Sequence, residues 1–448
     1  MTDADEGRTI TKTFTTYPDA LDYLFNFTDY ERMHKVKKAT SVFGLARMNK
    51  ILEHCGNPHE DLRAAHVAGT KGKGSTAAML ASILQSSGRS AGLYTSPHLL
   101  DIRERIQING EWIEEDAVTR LLARLHSYLE RARHDGDIYA PTFFEIFTAI
   151  ALLHFVERGV DLAIFEVGLG GRLDATNVLT PDACAITPVS FDHTDKLGNT
   201  LTEIAGEKAG IIKKGVPVVS GIQRPEALAV IRARAAELDA PLRIVGEDIT
   251  MLEGPDGAFS VRTWRRELNG LSLPLLGRHQ RENAATAIGL AELLCEKGFD
   301  LSGECVRDGL ASLRWPGRIQ LVARDPEVII DGAHNVASIE VLLETLDTLP
   351  PKKTTFVIGI AGDKDVHSIL SLLAPRGDAF VVTRTSNPRA SDPSALAAML
   401  EELGAGSVQI ADTPAAALEL ALAQASPAAR VCVTGSMYLA GDVLARVL

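Results

Sequence analysis

HVAGTKGKGST, residues 66–76, is where the reading of this chain begins. The run RAAHVAG (63–69) has the apolar character of a strand, and from Ser75 to about Ser86, ahead of Gly88, the pattern is helical. Between them lie Gly69, Thr70, Lys71, Gly72, Lys73 and Gly74. Glycines let several backbone N–H groups turn toward one point, and a helix N-terminus adds positive partial charge there. Lys73 can reach the terminal phosphate oxygens of a nucleotide, and Ser75 or Thr76 can serve phosphate or metal. The strict spacing GxxxxGK[ST] is not met, because position 67 is Val and Gly74 follows the lysine. The alternative is an ordinary glycine turn. Glycine, lysine and hydroxyl residues meeting at one strand-to-helix junction speak against it.

Outward from this loop, short apolar runs alternate with longer amphipathic ones. SAGLYTS (90–96), DLAIFEVG (161–168), PDACAITPVS (181–190), VPVVSG (216–221) and PLRIVG (241–246) read as strands. Within DLAIFEVG the run LAIF (162–165) is continuously apolar, as a strand buried on both faces should be. Thr200 with Glu203 makes a capping box that opens a helix through Ile212, and another helix starts at Pro225. A second set begins near residue 327: EVIIDGA, TTFVIGIAG, DAFVVT, SVQIA and ARVCVTGS are five strand candidates. Helical runs at 336–349, 365–374, 392–403 and 413–425 separate them. The expected fold class is α/β: an N-terminal, mostly parallel sheet domain of P-loop type over 1–313, and a C-terminal, Rossmann-like doubly wound domain over 321–448. Residues 314–320, with Pro316 and Gly317, are the expected linker.

Composition excludes several classes. Hydrophobic residues at 46% and charged residues at 23% are globular values, so wholesale disorder is excluded. The net charge of −12 repels phosphate backbones and anionic lipid, so neither nucleic acid nor membrane is the expected partner. An anionic small substrate then needs a local positive site. Cys55, Cys184, Cys295, Cys305 and Cys432 are odd in number, dispersed and without CxxC, which suits a reduced, intracellular chain and not a zinc module. The first residues lack a signal-peptide layout, and no apolar run is long enough to span a bilayer. The expected location is the cytoplasm.

Of three polar residues weighed on their own, only Glu166 invites chemistry. Glu166 ends a buried strand just before GLGG, where a carboxylate suits Mg2+ held with nucleotide phosphates; a cap on the following turn is the alternative. His193 alone reads more readily as a packed or hydrogen-bonded histidine than as a Mg2+ ligand. Lys208 alone reads as a solvated helix lysine. GLGGRLD is not a dinucleotide fingerprint, because position 173 is Leu where GxGxxG needs Gly.

Ten further segments stand in a recognisable order. They are FGLARM (43–48), TSPHL (95–99) with RERIQING, PTFFE (141–145), EVGLGGRLDATN (166–177), DHTDKLGNT (192–200), EKAGIIK (207–213), GRHQRENAATAI (277–288), WPGRIQ (315–320), DGAHN (331–335) and TGSMYL (434–439). With GTKGKGS they make the chain resemble the Mur ligase superfamily, and within it the folate branch of folylpolyglutamate synthase and dihydrofolate synthase. The resemblance runs from about residue 20 to the C-terminus.

The resemblance implies an ATP-dependent amide ligase. ATP converts a substrate carboxylate to an acyl phosphate, L-glutamate supplies the attacking amine, and ADP and phosphate leave. It implies ATP as co-substrate, two Mg2+ ions, K+ as a further candidate, and carbamylated Lys208 as an oxygen ligand. It gives Ser96, Glu166, His193 and Lys208 as metal ligands, with Lys73, His193 and Lys208 as the catalytic set. The spacing from His193 to Lys208 matches the family's carbamylated lysine. Gly69 to Ser75, including Lys71 where the family often has Asn, would hold ATP phosphates. Asn283 would contact the nucleotide, Arg318 its phosphates and Asp331 its ribose. ATP would then be held by both domains, and closure would exclude water. The folate or dihydropteroate arm falls to Phe43, Gly44, Leu45, Phe143, Phe144, Glu145, Leu173, Asp174 and Ala175, and glutamate to His334 and Ser436. Without the family, those aromatics read as core, Asn283 as a polar group at a helix start, Arg318 as a linker ion-pair partner and Asp331 as a turn residue ending the second domain's first strand. A monomer acting on small molecules is expected. The rivals are a peptidoglycan-type Mur ligase, a regulatory nucleotide-binding NTPase and a nicotinamide dehydrogenase.

Overall fold

The computed structural model describes residues 14–29, 44–134, 141–254, 257–386 and 389–447. Two compact units emerge. The first holds most of the chain up to Leu313; the second holds Arg314–Leu448 together with His98–Ile102 and Leu273–Arg281.

In the first unit, eight strands form one sheet. They are β1 (Ala64–Ala68), β2 (Ala91–Tyr94), β3 (Ile106–Ile108), β4 (Glu111–Trp112), β5 (Leu162–Glu166), β6 (Ala183–Ile186), β7 (Val218–Ser220) and β8 (Leu242–Ile244). Their order is β4-β3-β2-β5-β1-β6-β7-β8. β1 pairs in parallel with β5 and β6, and the antiparallel pairings are β2–β3 and β3–β4. Every residue of β1 and β5 is buried, His66 and Glu166 included, as expected of strands covered on both faces. The helix after β1 spans Lys73–Ser86, two residues earlier than the sequence suggests, because Gly72 in a left-handed conformation takes the N-cap position. Gly309, on the helix Gly303–Ala311, lies against it; a Cβ there would come 2.6 Å from the Ile83 Cα. The predicted capping box of Thr200 and Glu203 is formed and opens the helix Leu201–Ala209.

A separate three-stranded antiparallel sheet joins β9 (Thr250–Glu253), β10 (Phe259–Arg262) and β11 (Glu267–Leu271). It has no counterpart in the sequence reading. Its strands bury only scattered residues, so they carry no continuous apolar run.

The second unit has six strands: β12 (Gln320–Arg324), β13 (Glu327–Ile330), β14 (Thr354–Ile358), β15 (Ala379–Thr383), β16 (Ser407–Ala411) and β17 (Arg430–Thr434), in the order β12-β13-β17-β14-β15-β16. All pairings are parallel except β12–β13. The helices Val336–Asp347, Val366–Leu373 and Pro393–Glu402 cover one face, and Pro414–Gln424 and Met437–Val447 the other. The five expected strands and four expected helices are present. β12 is the addition, so Asp331 follows the unit's second strand and not its first. Among the described residues, no helix is long and apolar enough to cross a membrane.

Candidate active site

The C-terminal ends of β1, β5 and β6 meet at one place. Parallel pairing sets Val67 beside Glu166, and Ala68 beside Ile186, so the glycine loop, the GLGG turn and the segment after β6 emerge together. The loop is held from below. The Thr70 and Lys71 amides donate to the Pro188 carbonyl at 3.0 and 3.3 Å, and the Thr70 hydroxyl donates to the Ser190 carbonyl while accepting from its amide, both at 3.1 Å. Gly69 sits over Thr187, where a Cβ would meet Oγ1 at 1.8 Å. Thr187 and Pro188 are supports that the sequence reading did not single out. Their signal was the strand-to-loop break at Pro188.

Lys73 Nζ donates to the Thr70 carbonyl at 3.4 Å. Ser75 and Thr76 are buried in the first turn of the helix, and the Thr76 hydroxyl has no hydrogen-bond partner. Gly74 is buried in the same turn. Asn283 lies in the second turn of the helix Arg278–Glu296, not at its start, and its side chain lies against Gly72: a Cβ on Gly72 would fall 2.2 Å from Asn283 Oδ1. Gly72→Ala therefore meets both this clash and a φ of 83°, and is expected to raise the KM for ATP about tenfold or more. An unchanged KM for ATP in steady-state assays would show that the Gly72–Asn283 approach is irrelevant to nucleotide binding.

Lys208 is not a solvated helix lysine. It is 4% exposed, and its Nζ donates to the Gly69 carbonyl at 2.8 Å. Burial, with Lys73 and then Lys71 as unfavourable cations, pushes its amine down to about 7, against the opposing pull of Asp192 and Asp174. Lys208, Lys73, Gly69 and Thr70 line one recess with Gly168, Leu169, Gly170, Asp192, His193 and Leu197. His193 is not packed: its side chain is 50% exposed and its φ is 48°. Asp192 stands between it and the loop, 3.6 Å from Lys71 Nζ and 3.8 Å from His193 Nε2.

Glu166 is buried, and its Oε2 accepts from the Ser96 amide at 3.0 Å. That contact joins two members of the expected ligand set. The donors present are a buried carboxylate, the hydroxyls of Ser96 and Thr76, and an exposed imidazole. Oxygen dominates, which suits Mg2+. No group of three or more His, Cys, Asp and Glu side chains among the described residues is arranged to hold a metal ion. The expected set contains only two such residues, Glu166 and His193.

The segments assigned to the folate arm divide by exposure. Phe43 lies outside the described residues. Gly44 caps the helix Leu45–His54, and Leu45 is partly exposed. Phe143 is core, stacked on Phe147 with centroids 5.8 Å apart. Phe144 is partly exposed, 6.0 Å from the Tyr94 ring, and its tip lies against Gly168. Glu145 closes a capping box with Thr142 and pairs with the buried Arg47 Nε at 2.8 Å. That pair fastens the helix Leu45–His54 to the helix Phe143–Arg158. Arg47→Met strands the Glu145 charge and is expected to lower stability by about 3–5 kcal/mol, read from the urea midpoint. A midpoint unchanged from the parent protein would refute the fastening role. Leu173 is partly exposed, Ala175 is buried, and the Asp174 carboxylate turns inward to the Leu169 and Thr176 amides.

In the second unit, DGAHN, TGSMYL and the turn after β14 gather at the strand C-termini. Asp331 is buried, and its carboxylate accepts from the Ile319 and Ala333 amides, both at 2.9 Å. Burial raises its pKa, opposed by those amides and by Arg318. The Arg318 Nη1 donates to Met437 Sδ at 2.8 Å. His334 Nδ1 lies 3.0 Å from the Gly332 carbonyl, and Ser436 is buried with its Oγ accepting from the Tyr438 amide. The Gly435 amide donates to the Ala333 carbonyl, which ties the His334 and Ser436 loops together.

A nucleotide-type loop on a parallel sheet, with a buried lysine at its base and a second doubly wound unit, is the layout of a Mur-type ligase. Known proteins agree. Residues 67–291 match the Mur ligase middle domain, and 317–437 the Mur ligase glutamate ligase domain. The chain is 39% identical over 385 residues to the dihydrofolate synthase/folylpolyglutamate synthase of Bacillus subtilis, covering 84% of this chain and 87% of that protein. It is 36% identical over 430 residues to the protein of the same name from Escherichia coli, covering 95% and 96%. The structure described as E. coli FolC in complex with DHPP and ADP superposes with a TM-score of 0.84 at 34% identity, over 97% of this chain and 98% of that one. The chain belongs to the folylpolyglutamate synthase/dihydrofolate synthase family of Mur ligases.

Proposed function

We propose that this protein joins L-glutamate to a folate carboxylate at the expense of ATP, releasing ADP and phosphate, and that both dihydropteroate and reduced folates serve as acceptors. The buried amine of Lys208, set against Gly69 and beside Lys73, is the observation that carries the reading. A phosphate loop alone has no use for a second, buried amine beneath it, held down to about 7.

In the first step a carboxylate oxygen of the acceptor attacks the γ-phosphorus, and the bond to the ADP oxygen breaks. In the second, the glutamate amine attacks the acyl carbon and phosphate departs with the bond electrons; the amine proton passes to solvent or a nearby base. A free carboxylate cannot do this directly, because oxide is too poor a leaving group. Lys73 and the loop amides hold the phosphates and meet the charge that develops on them. Mg2+, where bound, supplies charge neutralisation between the phosphates, and Ser96, Glu166 and His193 are the residues assigned to hold it. Lys208 as a carbamate would offer oxygens to a second Mg2+, and K+ is a further candidate in the same region. Asn283, Arg318 and Asp331 are assigned to the nucleotide. Gly44, Leu45, Phe144, Leu173 and Ala175 are assigned to the folate arm, with Phe143, Glu145 and Asp174 supporting it from the core. His334 and Ser436 are assigned to glutamate. The protein acts as a monomer in the cytoplasm.

The experiment is a paired assay with ATP, Mg2+, a potassium salt, labelled L-glutamate and either dihydropteroate or a reduced folate. Product mass and ADP are followed together. Product from both acceptors is expected. Product from one alone would restrict the acceptor, and ADP without product from either would overturn the reading.

A further inference from the structure

His66 lies within β1 and is fully buried, yet nothing in the ligase chemistry calls for it. Its Nε2 is 2.8 Å from the Thr176 hydroxyl. That hydroxyl also contacts Asp174 Oδ1, and the Thr176 amide donates to the same oxygen at 3.0 Å. The other Asp174 oxygen accepts from the Leu169 amide at 2.9 Å. Burial pushes the Asp174 carboxyl up, but both of its oxygens take backbone N–H groups, which pulls the other way and favours the ionised, accept-only form. The Thr176 hydroxyl must then donate to Asp174 and accept from His66. His66 is therefore the neutral Nε2–H tautomer. Its bare Nδ1 agrees: that atom is buried without a hydrogen-bond partner, and burial pushes the imidazole down to about 3.

The chain ends on the turn that lines the recess. Gly168, Leu169 and Gly170 face Lys73 and Lys208 there. Gly171 packs on the Lys208 helix so closely that a Cβ would fall 2.7 Å from the Glu207 carbonyl, and the Arg172 amide donates to that carbonyl at 2.8 Å. Asn177, three residues beyond Asp174, donates to the Gly210 carbonyl at 3.2 Å, just past the same helix. Every link is inside the first unit.

We propose that His66 and Thr176 are positioning residues: through Asp174 they lock the turn 168–171, and with it the Lys208 amine, against the phosphate loop. This rests on the proposed function for its kinetic arm only. The locked turn acts on the geometry of the transfer and not on the loop amides that hold phosphate. Loss of the chain should therefore lower kcat and leave nucleotide affinity alone.

The test compares Thr176→Val and His66→Leu, which break the chain, with Thr176→Ser and His66→Gln, which keep a hydroxyl and an N–H. Steady-state ADP formation, Mg·ADP affinity by calorimetry, melting temperature and imidazole 15N spectra are recorded on the full chain. The breaking variants are expected to lose about tenfold or more in kcat, with Mg·ADP affinity unchanged, and the conservative pair to recover most of it. The His66 spectrum should show the neutral Nε2–H form at pH 6 to 8. An Nδ1–H tautomer, equal losses in Thr176→Ser and Thr176→Val, or nucleotide affinity falling in step with kcat would overturn the proposal. Should the breaking variants not fold, the conservative variants and the parent spectrum still decide it. A parent protein that binds Mg·ADP but makes no folate product would refute the proposed function, while the spectra and affinities would still judge the positioning chain.

Discussion

Lys73→Ala is expected to remove ADP formation to below about one-hundredth of the parent rate while the protein still folds. The side chain is only partly buried, its one recorded bond is a 3.4 Å contact to the Thr70 carbonyl, and it occupies the first position of a long helix. Alanine is a better helix former and leaves no cavity there. The melting temperature should therefore move little. The lost function has two sources. In the role proposed for it, the cation that would meet charge on the transferred phosphate disappears, which alone costs about two to three orders of magnitude. In addition, after burial itself Lys73 is the strongest influence holding the Lys208 amine down. Without it, that amine regains proton affinity and less of it is neutral near pH 7. A variant that makes ADP at the parent rate, measured by coupled assay alongside thermal melting, would remove the phosphate role from this loop.

Much of this arrangement was legible because each piece obeys a local rule. DLAIFEVG could only be a strand buried on both faces, and the glycine loop could only sit at a strand-to-helix junction. Thr200 and Glu203 announced the start of the Lys208 helix, and the cap is formed. Other features depend on what the fold brings together from afar. Lys208 looks like any helix lysine until the helix end is packed under Gly69, 139 positions away. Glu145 reads as a candidate binding group, yet it spends its carboxylate on Arg47 and Thr142. Asp174 likewise turns inward. Carboxylates near a motif cannot be sorted into those that face a ligand and those that hold the scaffold without their partners, and the partners are distant in sequence. The small sheet of β9, β10 and β11 escaped for a different reason. Its strands are mostly exposed, so no apolar period marks them.

Lys208→Ala is expected to abolish ligation, and short carboxylic acids such as formate or acetate are expected to restore part of it. The amine is buried and held down to about 7, so a large fraction is neutral at physiological pH and able to add to carbon dioxide. Addition to carbon dioxide, with a proton lost from nitrogen, would give a carbamate, which puts oxygens where an ammonium would stand and reverses the local charge. The truncated side chain leaves a space lined by Gly69 and the turn 168–171, where a small carboxylate can stand in. In the parent protein, at fixed carbon dioxide pressure, activity should rise as pH climbs through about 7, because the neutral amine is the reactive form. Stability gives a second readout that needs no substrate. An unfolded lysine titrates near 10.5 and this one at about 7, so between those values the unfolded chain binds more protons. With carbon dioxide removed, the parent protein should therefore gain stability as pH rises from 7 toward 10.5, and lose it as pH falls back through that window. Lys208→Ala removes the titrating group and should flatten that slope, so that its stability relative to the parent is greatest near pH 7. Denaturant midpoints at pH 7 and pH 9 measure this directly. Parallel pH slopes in the two proteins would mean that the amine is not held neutral, and full activity in Lys208→Ala would remove it from the reaction altogether.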